Sequence, residues 1–189
     1  MVEKTSARAA TRDRLLAAAE KLLLTERYED VSVRGICTAA GANPAAVHYH
    51  FGSKEALVAA LIEDRLGPLW ADRLAALDTE HASVPTVVEA VIAPFVELSG
   101  DPVGRLHLRL LAQLVLGRYP MTWTRHWFHM DSWVGLLPEL TPADSRRRWR
   151  LAFDLIISRF GTDTTVSPES VAALRDFVVA GLTAPGGRA

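Results

Sequence analysis

Four polar side chains in the second half of the chain are of types that ligate metals or transfer protons. His126, His129 and Asp131 lie close together, and His107 lies further upstream. Residues 126 and 129 share one face of a helix, because positions three apart are neighbours there. Their spacing matches no common catalytic metal site, and no nucleophile elbow for Ser-His-Asp chemistry is present. We therefore expect polar lining here, with no metal site and no enzyme active site.

Aromatic side chains are concentrated between residues 121 and 133. Apolar ligand cavities are typically lined by such rings, with a few polar groups among them. We therefore predict a ligand cavity between helices, with His107 and Arg109 as polar anchors. The alternative is that the aromatic segment forms ordinary core or an interface. The aromatic residues predicted to line the cavity are Trp70, Phe95, Trp123, Trp127 and Phe128.

The segment from Ser32 to Phe51 has the layout of two short helices joined by a tight turn. Ser32 suits the N-cap of the first helix, and Gly41 suits the left-handed conformation that commonly ends one. Asn43 and Pro44 suit the start of the second helix, as an N-cap residue and a proline at the first helical position. This is the layout of a helix-turn-helix, whose second helix enters the DNA major groove. Spacing alone does not establish DNA binding, because helix hairpins with glycine turns are common.

Helical periodicity runs through almost the whole chain, and no alternating run indicates a strand. The pattern predicts an all-α fold with a three-helix head and a larger helical body. We expect Thr11 to cap the first helix after an arm at residues 1–10. We expect Gly67-Pro68 to kink a long helix, and residues 121–137 to form a single helix.

Composition narrows the class of protein further. The 189 residues are 49% hydrophobic and 23% charged, which are ordinary globular values that exclude collagen-like and wholly disordered chains. The net charge of -1 excludes a polycationic coat protein but allows a local basic surface. Cys37 is the sole cysteine, which rules out an intrachain disulfide. No segment is typical of a signal peptide or a membrane span, so we expect a cytoplasmic protein.

A specific combination of residues runs through positions 15–57: Leu22, Val33, Arg34, Ile36, Ala40-Gly41, Val47, Tyr49-His50-Phe51 and Ser53-Lys54-Glu55-Ala56-Leu57. In this combination the segment resembles the N-terminal domain of the tetracycline-repressor (TetR) family of bacterial transcription regulators. The resemblance covers about the first quarter to third of the chain. Beyond it, the sequence supports a helical body.

The resemblance implies that the helix-turn-helix contacts DNA. Ala45 and His48 match positions that face bases, whereas Tyr49 and Lys54 match positions that contact the phosphate backbone. Phosphate contacts set the register on the duplex, and base contacts confer sequence preference. His48 stands where the family often has tyrosine, and Ala45 replaces a larger or hydroxylated residue. Apolar contact with thymine methyl groups is therefore expected to contribute more to base recognition. The predicted DNA-binding residues are Arg34, Asn43, Pro44, Ala45, His48, Tyr49 and Lys54.

The resemblance also implies a fold, a function and an assembly. It implies a DNA-binding domain at 11–55, with its motif at about 32–51, a helical regulatory and dimerisation domain at 56–184, and a tail at 185–189. The implied function is a homodimeric transcriptional regulator, usually a repressor, that a small apolar or aromatic effector releases from a palindromic operator on double-stranded DNA. No cofactor is expected. The predicted dimer-interface residues lie on the last two helices: Leu151, Leu155, Val171, Leu174, Phe177 and Val178.

Two alternatives belong to other classes of protein. One is a helical small-molecule-binding module with weak DNA binding, because the residues from Pro44 to His50 offer few hydrogen-bonding groups. The other is a helical hydrolase or metal enzyme that uses His107, His126 or His129. A salt-dependent shift of operator DNA distinguishes a regulator from both.

Overall fold

A computed structural model of the chain describes residues 2–77, 82–119, 122–162 and 165–185. These residues form nine α-helices and one 3-10 helix and contain no strand, which confirms the all-α prediction. None of these helices is long and apolar enough to cross a membrane. The α-helices are α1 (Val2–Leu23), α2 (Val33–Ala39), α3 (Ala46–Phe51), α4 (Lys54–Ala75), α5 (Val84–Ser99), α6 (Pro102–Leu116), α7 (Asp131–Val134), α8 (Pro142–Phe160) and α9 (Pro168–Thr183).

The chain forms two compact units. The first comprises Met1–Ile62 with Tyr119–Thr122, and the second comprises Glu63–Arg118 with Trp123–Ala189. The units divide within α4, further along the chain than the boundary predicted after residue 55. Helix α4 therefore contributes residues to both units.

The first unit contains the helix-turn-helix, formed by α2 and α3. The Ser32 hydroxyl caps α2 by accepting a hydrogen bond from the Gly35 N–H at 3.0 Å. Gly41 follows α2 with a φ of 59°, a left-handed conformation that favours glycine. Ile36 on α2 and Val47 on α3 are both fully buried. The capping and turn expectations for α2 are thus confirmed.

Two helix starts differ from the prediction. Helix α1 begins at Val2, so Thr11 lies inside it, and its hydroxyl donates to the Ala7 carbonyl at 3.0 Å. Alanine, arginine, lysine and glutamate favour a helix, and they make up much of residues 2–10. Helix α3 begins at Ala46 instead of Pro44, because the Asn43 side chain accepts from the Ala45 N–H at 2.9 Å and forms an Asx turn first.

The second unit is a bundle built on α5, α6, α8 and α9. Each of these helices begins with a side-chain cap and has proline in its first turn, a pairing that favours helix initiation. Helix α5 packs on α6 and α9, and α6 packs on α8. The largest fully buried rings of this core are Phe95, Trp133 and Trp149.

The single helix predicted for residues 121–137 is wrong for the described residues 122–137. They form a 3-10 helix at His126–Phe128 and the short α7 instead. The Ser132 hydroxyl donates to the His126 carbonyl at 2.5 Å, and the Trp133 indole N–H donates to the Trp127 carbonyl at 3.1 Å. These side chains bond carbonyls that a continuous helix would use, and so compete with it. Helix α4, in contrast, continues without interruption across Pro68.

Candidate functional site

The turn before α3 and the outer side of α3 form an exposed surface in the first unit. Two residues within this stretch, Ala46 and Val47, are buried and anchor it to the core. Arg34 on α2 is also exposed. The ring of Tyr49 is the most prominent feature, since the residue is 68% exposed. The predicted DNA-contact residues exposed on this surface are Asn43, Pro44, Ala45, His48 and Tyr49.

The His48 ring is held in one orientation. Its Nδ1 lies 2.9 Å from the Gly52 carbonyl oxygen. A carbonyl oxygen only accepts hydrogen bonds, so Nδ1 must carry the proton and donate it. In the neutral ring Nε2 is then an acceptor, suited to the cytosine amino group at the major-groove edge. The exposed His48 therefore offers one oriented hydrogen-bonding atom close to Ala45 and Ala46, whose side chains offer none.

Lys54 has structural partners in the first unit. Its Nζ donates to the Tyr28 carbonyl at 2.8 Å and to the Val31 carbonyl at 3.0 Å, and it lies 4.2 Å from the centroid of the Tyr28 ring. An ammonium group has three N–H donors, so one is left for a phosphate. Lys54 thus ties the start of α4 to the segment between α1 and α2, beside its predicted role in DNA binding.

Tyr28 and Glu55 lie next to these hydrogen bonds of Lys54. Burial, followed by the negative charge of Glu55, raises the pKa of the Tyr28 hydroxyl above its ordinary value. The hydroxyl donates to the Glu55 carboxylate at 3.4 Å. A backbone hydrogen bond at the start of α4 lowers the pKa of the Glu55 carboxyl, and hydrogen bonds from Ser53 and Tyr28 lower it further. Glu55 is therefore a carboxylate at neutral pH, where it complements the N-terminus of α4.

The second unit contains a cavity of about 450 Å³, and half of its lining residues are aromatic. All five aromatic residues predicted to line a ligand site contribute to it, although they come from α4, α5 and the segment before α7. Trp133 of α7, which belongs to the aromatic segment at 121–133, also lines the cavity, and so does Phe153 of α8, which the sequence did not indicate. The aromatic lining residues are Trp70, Phe95, Trp123, Trp127, Phe128, Trp133 and Phe153.

Several of these rings pack on one another. The centroids of Trp123 and Phe128 are 4.9 Å apart with an interplanar angle of 30°, and those of Trp127 and Trp133 are 5.1 Å apart. The Trp70 indole N–H donates to the Val91 carbonyl at 3.0 Å, and the Trp133 N–H also has a backbone acceptor. Because backbone carbonyls satisfy these polar atoms, both indoles can present ring carbon to a ligand.

A buried carboxylate on α4 holds Thr124 and Arg125, which directly follow the cavity-lining Trp123. Glu63, which is 4% exposed, accepts hydrogen bonds from the Thr124 N–H, the Thr124 hydroxyl and the Arg125 N–H. The Arg125 guanidinium also pairs with Asp64 at 2.9 Å. Gly67 permits this approach, since a Cβ there would lie 2.9 Å from Cδ of Arg125. These α4 residues were not identified from the sequence, because their partners lie some sixty positions away.

The polar groups of the cavity differ from the predicted anchors. His107 is buried in α6, Arg109 is exposed, and neither lines the cavity. On α6 the cavity is lined by Leu111 and Val115. Position 109 is about 200° around the helix from Leu111, and position 107 is a turn further from the cavity. The charged lining residues are Arg118, Arg150 and Asp154, all of them exposed.

The predicted interface residues fall into two groups. Leu151 and Leu155 on α8 and Phe177 on α9 are 70%, 38% and 68% exposed. The other three are buried within the chain, because α9 packs its apolar stripe against α5 and α8. They therefore belong to the core of the unit and present little surface to a partner. These buried residues are Val171, Leu174 and Val178.

Two of the side chains considered for metal or enzyme chemistry have other partners. Asp131 accepts from Arg146 at 2.8 and 2.5 Å, and the His126 Nδ1 lies 3.1 Å from the Ser132 hydroxyl. Among the described residues, no three histidine, cysteine, aspartate or glutamate side chains form a group suited to a metal ion.

The chain is similar to known proteins in sequence and in fold. Residues 15–61 match the family described as bacterial regulatory proteins, tetR family. No curated protein matches the chain in sequence. Solved structures with a similar fold include NalD, the secondary repressor of the MexAB-OprM multidrug efflux pump in Pseudomonas aeruginosa. It is 19% identical with a TM-score of 0.57, and the match covers 95% of this chain and 97% of that one.

Two further structures share the fold over nearly the whole chain. A candidate transcriptional regulator from Rhodococcus sp. RHA1 is 25% identical, with a TM-score of 0.55 and coverage of 93% of this chain and 96% of that one. RolR in complex with resorcinol is 15% identical, with a TM-score of 0.53 and coverage of 97% and 98%. The similarity in fold thus extends through both units.

Proposed function

Because residues 15–61 belong to the tetR family of bacterial regulatory proteins, we propose that this chain is a ligand-responsive transcriptional repressor. In this proposal the helix-turn-helix binds operator DNA, and a small aromatic molecule in the cavity releases it. One observation carries the proposal: a single chain combines an exposed recognition surface at 43–49 with an aromatic-lined cavity of about 450 Å³. The cavity alone would suit a binding module, and the surface alone would suit an architectural DNA-binding protein.

The active form is proposed to be a homodimer. The exposed apolar residues Leu151, Leu155 and Phe177 lie on α8 and α9, and a second copy of the chain would cover them. A two-fold dimer reads a palindrome, with half-sites separated by about one turn of DNA, roughly 34–36 Å, or a multiple of it. The proposed repressor acts on DNA in the cytoplasm and has no assigned enzymatic activity.

The effector is proposed to be a flat aromatic molecule. Tilted pairs of aromatic rings line the cavity, and charged groups occur in its lining at Arg118, Arg150 and Asp154. Resorcinol, the molecule bound by the structurally similar RolR, is such a compound. Release requires that the effector bind the DNA-free state more tightly than the DNA-bound state, because a ligand shifts an equilibrium only by its differential affinity.

The direct test is selection of DNA from a pool of randomised duplexes by the purified chain at low salt. We expect a palindromic sequence to be enriched and its affinity to fall steeply as salt rises. Resorcinol and naphthalene-2,7-diol are then added to the protein–DNA complex. We expect an effector to quench tryptophan fluorescence and to release the DNA over the same range of concentrations. Retention of no duplex at low salt would favour the small-molecule-binding module, whose support is the small number of hydrogen-bonding side chains from Pro44 to His50.

A further inference from the structure

The side of α1 next to α3 carries arginines that the proposed function has not used. The guanidinium carbon of Arg8 lies 5.2 Å from the centroid of the Tyr49 ring, and that of Arg12 lies 5.5 Å from the Phe51 ring. Arg8 and Arg12 are four residues apart and therefore share one face of α1. Two cations are thus held against the rings of α3, one of them the exposed Tyr49.

A groove continues this basic side towards the turn of the helix-turn-helix. Thr11 and Arg14 of α1 line it together with Asn43, Ala45 and Tyr49. The Arg14 guanidinium donates to the Thr11 hydroxyl at 3.3 Å, which holds it at the groove. The groove therefore joins α1 to the same residues that are predicted to meet DNA.

The charge of this stretch is positive. Residues 7–14 contain three arginines and one acid, Asp13. Asp13 lies 3.9 Å from Arg12, but the two side chains are 74% and 39% exposed, and an ion pair this open to water contributes little. Burial, and then the charges of Arg8 and Arg12, lower the pKa of the neighbouring His50 imidazole, as a positive local potential requires.

We propose that Arg8, Arg12 and Arg14 of α1 bind phosphates of the DNA backbone beside the groove that α3 enters. The proposal rests on the proposed function, because it extends the same DNA surface. A guanidinium packed on an aromatic face keeps its N–H edges available, and these match a phosphate in bidentate geometry. Tyr49 would then serve α1 as a platform in addition to any phosphate contact of its own.

The salt dependence of DNA binding tests the proposal. Arg8→Gln, Arg12→Gln and the double variant are compared with the unaltered chain on one mixed-sequence duplex, by fluorescence anisotropy between about 50 and 200 mM salt. Each single change should lower the magnitude of the slope of log affinity against log salt by about one and weaken binding about tenfold near 0.1 M salt. The double variant should lower the magnitude of that slope by about two. The matched control is Lys21→Gln, an exposed cation about 20 Å further along α1, which should change neither quantity.

A conservative variant separates phosphate binding from a structural role. Arg8→Lys keeps the charge, so it should keep the slope of log affinity against log salt. If Arg8 merely packed on Tyr49, replacement by lysine and replacement by glutamine would lower the DNA affinity equally. A double variant with an unaltered slope, or a Lys21→Gln slope reduced as much as that of Arg8→Gln, would overturn the proposal while leaving the proposed function intact. Absence of duplex binding by the unaltered chain would instead remove the proposed function itself.

Discussion

The carboxylate of Glu63 on α4 accepts hydrogen bonds from both the backbone N–H and the hydroxyl of Thr124. The carboxylate is buried, and it also accepts from the Arg125 N–H at 2.8 Å. Thr124 directly follows Trp123, which lines the aromatic cavity. One side chain of α4 thereby fixes an irregular segment that has little helical structure of its own.

Glu63→Gln should loosen this wall. The amide has one oxygen where the carboxylate has two, so the Thr124 hydroxyl or a backbone N–H loses its charged acceptor, and the free energy of unfolding should fall by about 1–3 kcal/mol. Binding of aromatic probes should weaken, because Trp123 is no longer held in place. Urea unfolding and tryptophan quenching measure the two effects. The control Glu97→Gln alters an exposed ion pair with Arg73 and should change little; unaltered probe affinity in Glu63→Gln would contradict the assigned role.

Removal of single rings should weaken the response to ligand. Apolar surface is deleted from the cavity in each of three variants, Trp123→Ala, Trp127→Ala and Phe128→Ala. Loss of an aromatic contact with the effector should raise the effector concentration needed for DNA release by tenfold or more, which corresponds to about 1.4 kcal/mol or more. Operator affinity without effector should stay near that of the unaltered chain. His129→Ala is the matched control, since this exposed residue of the same segment does not line the cavity. Three variants with unaltered dose-response curves would assign these rings to packing alone.

The local features of the fold could be predicted from the sequence because neighbouring residues determine them. Ser32 caps α2 and Gly41 adopts the left-handed turn, and both depend on residues within one helical turn. The start of α1 and the broken segment at 122–137 could not be predicted in this way. Periodicity shows which faces of a helix are apolar. It does not show that the Ser132 hydroxyl donates to the His126 carbonyl and so competes with helical hydrogen bonding.

The site was predictable in its residue types but only partly in its geometry. Aromatic residues favour cavity walls wherever they lie, so Trp70 and Phe95 were identified despite their distance along the chain from Trp127. The polar anchors depend on which face of α6 turns towards the cavity, and a sequence does not give that rotation. His107 and Arg109 were therefore placed wrongly.

Lys54→Ala should weaken two properties together. The variant loses hydrogen bonds to the carbonyls of Tyr28 and Val31, so the free energy of unfolding should fall by about 1–3 kcal/mol. DNA affinity should fall to a similar extent on all sequences, as expected for a phosphate contact, while the dimer remains. Thermal unfolding and anisotropy at several salt concentrations separate the effects. An unaltered affinity at every salt concentration would leave Lys54 a purely structural residue.

The dimer interface is best tested on exposed residues. Deletion of residues 168–189 would remove Val171 and Leu174 from the core and so would test folding instead of association. Leu151→Asp with Phe177→Asp should weaken the dimer by about two orders of magnitude or more, because each apolar side chain buried on association contributes about 1.5–3 kcal/mol. Sedimentation equilibrium gives the mass, and circular dichroism reports retained helix. Leu116→Asp, on the exposed side of α6, is the control; a double variant that sediments as a dimer would place the interface elsewhere.

His50 should report the charge of the arginines on α1. Burial, and then Arg8 and Arg12, lower its pKa below the ordinary value of 6.5. The folded chain therefore holds the imidazole neutral where the unfolded chain binds a proton, so this stability is present above pH 6.5 and is lost as the pH falls through the folded pKa. Arg8→Gln removes one repulsive charge, so it should raise the pKa of His50 towards 6.5 and make that loss of stability smaller. The ring proton shifts in NMR measure the titration, and Lys21→Gln should leave it unaltered. If His50 titrates identically in Arg8→Gln and in the unaltered chain, Arg8 adds no positive potential at His50.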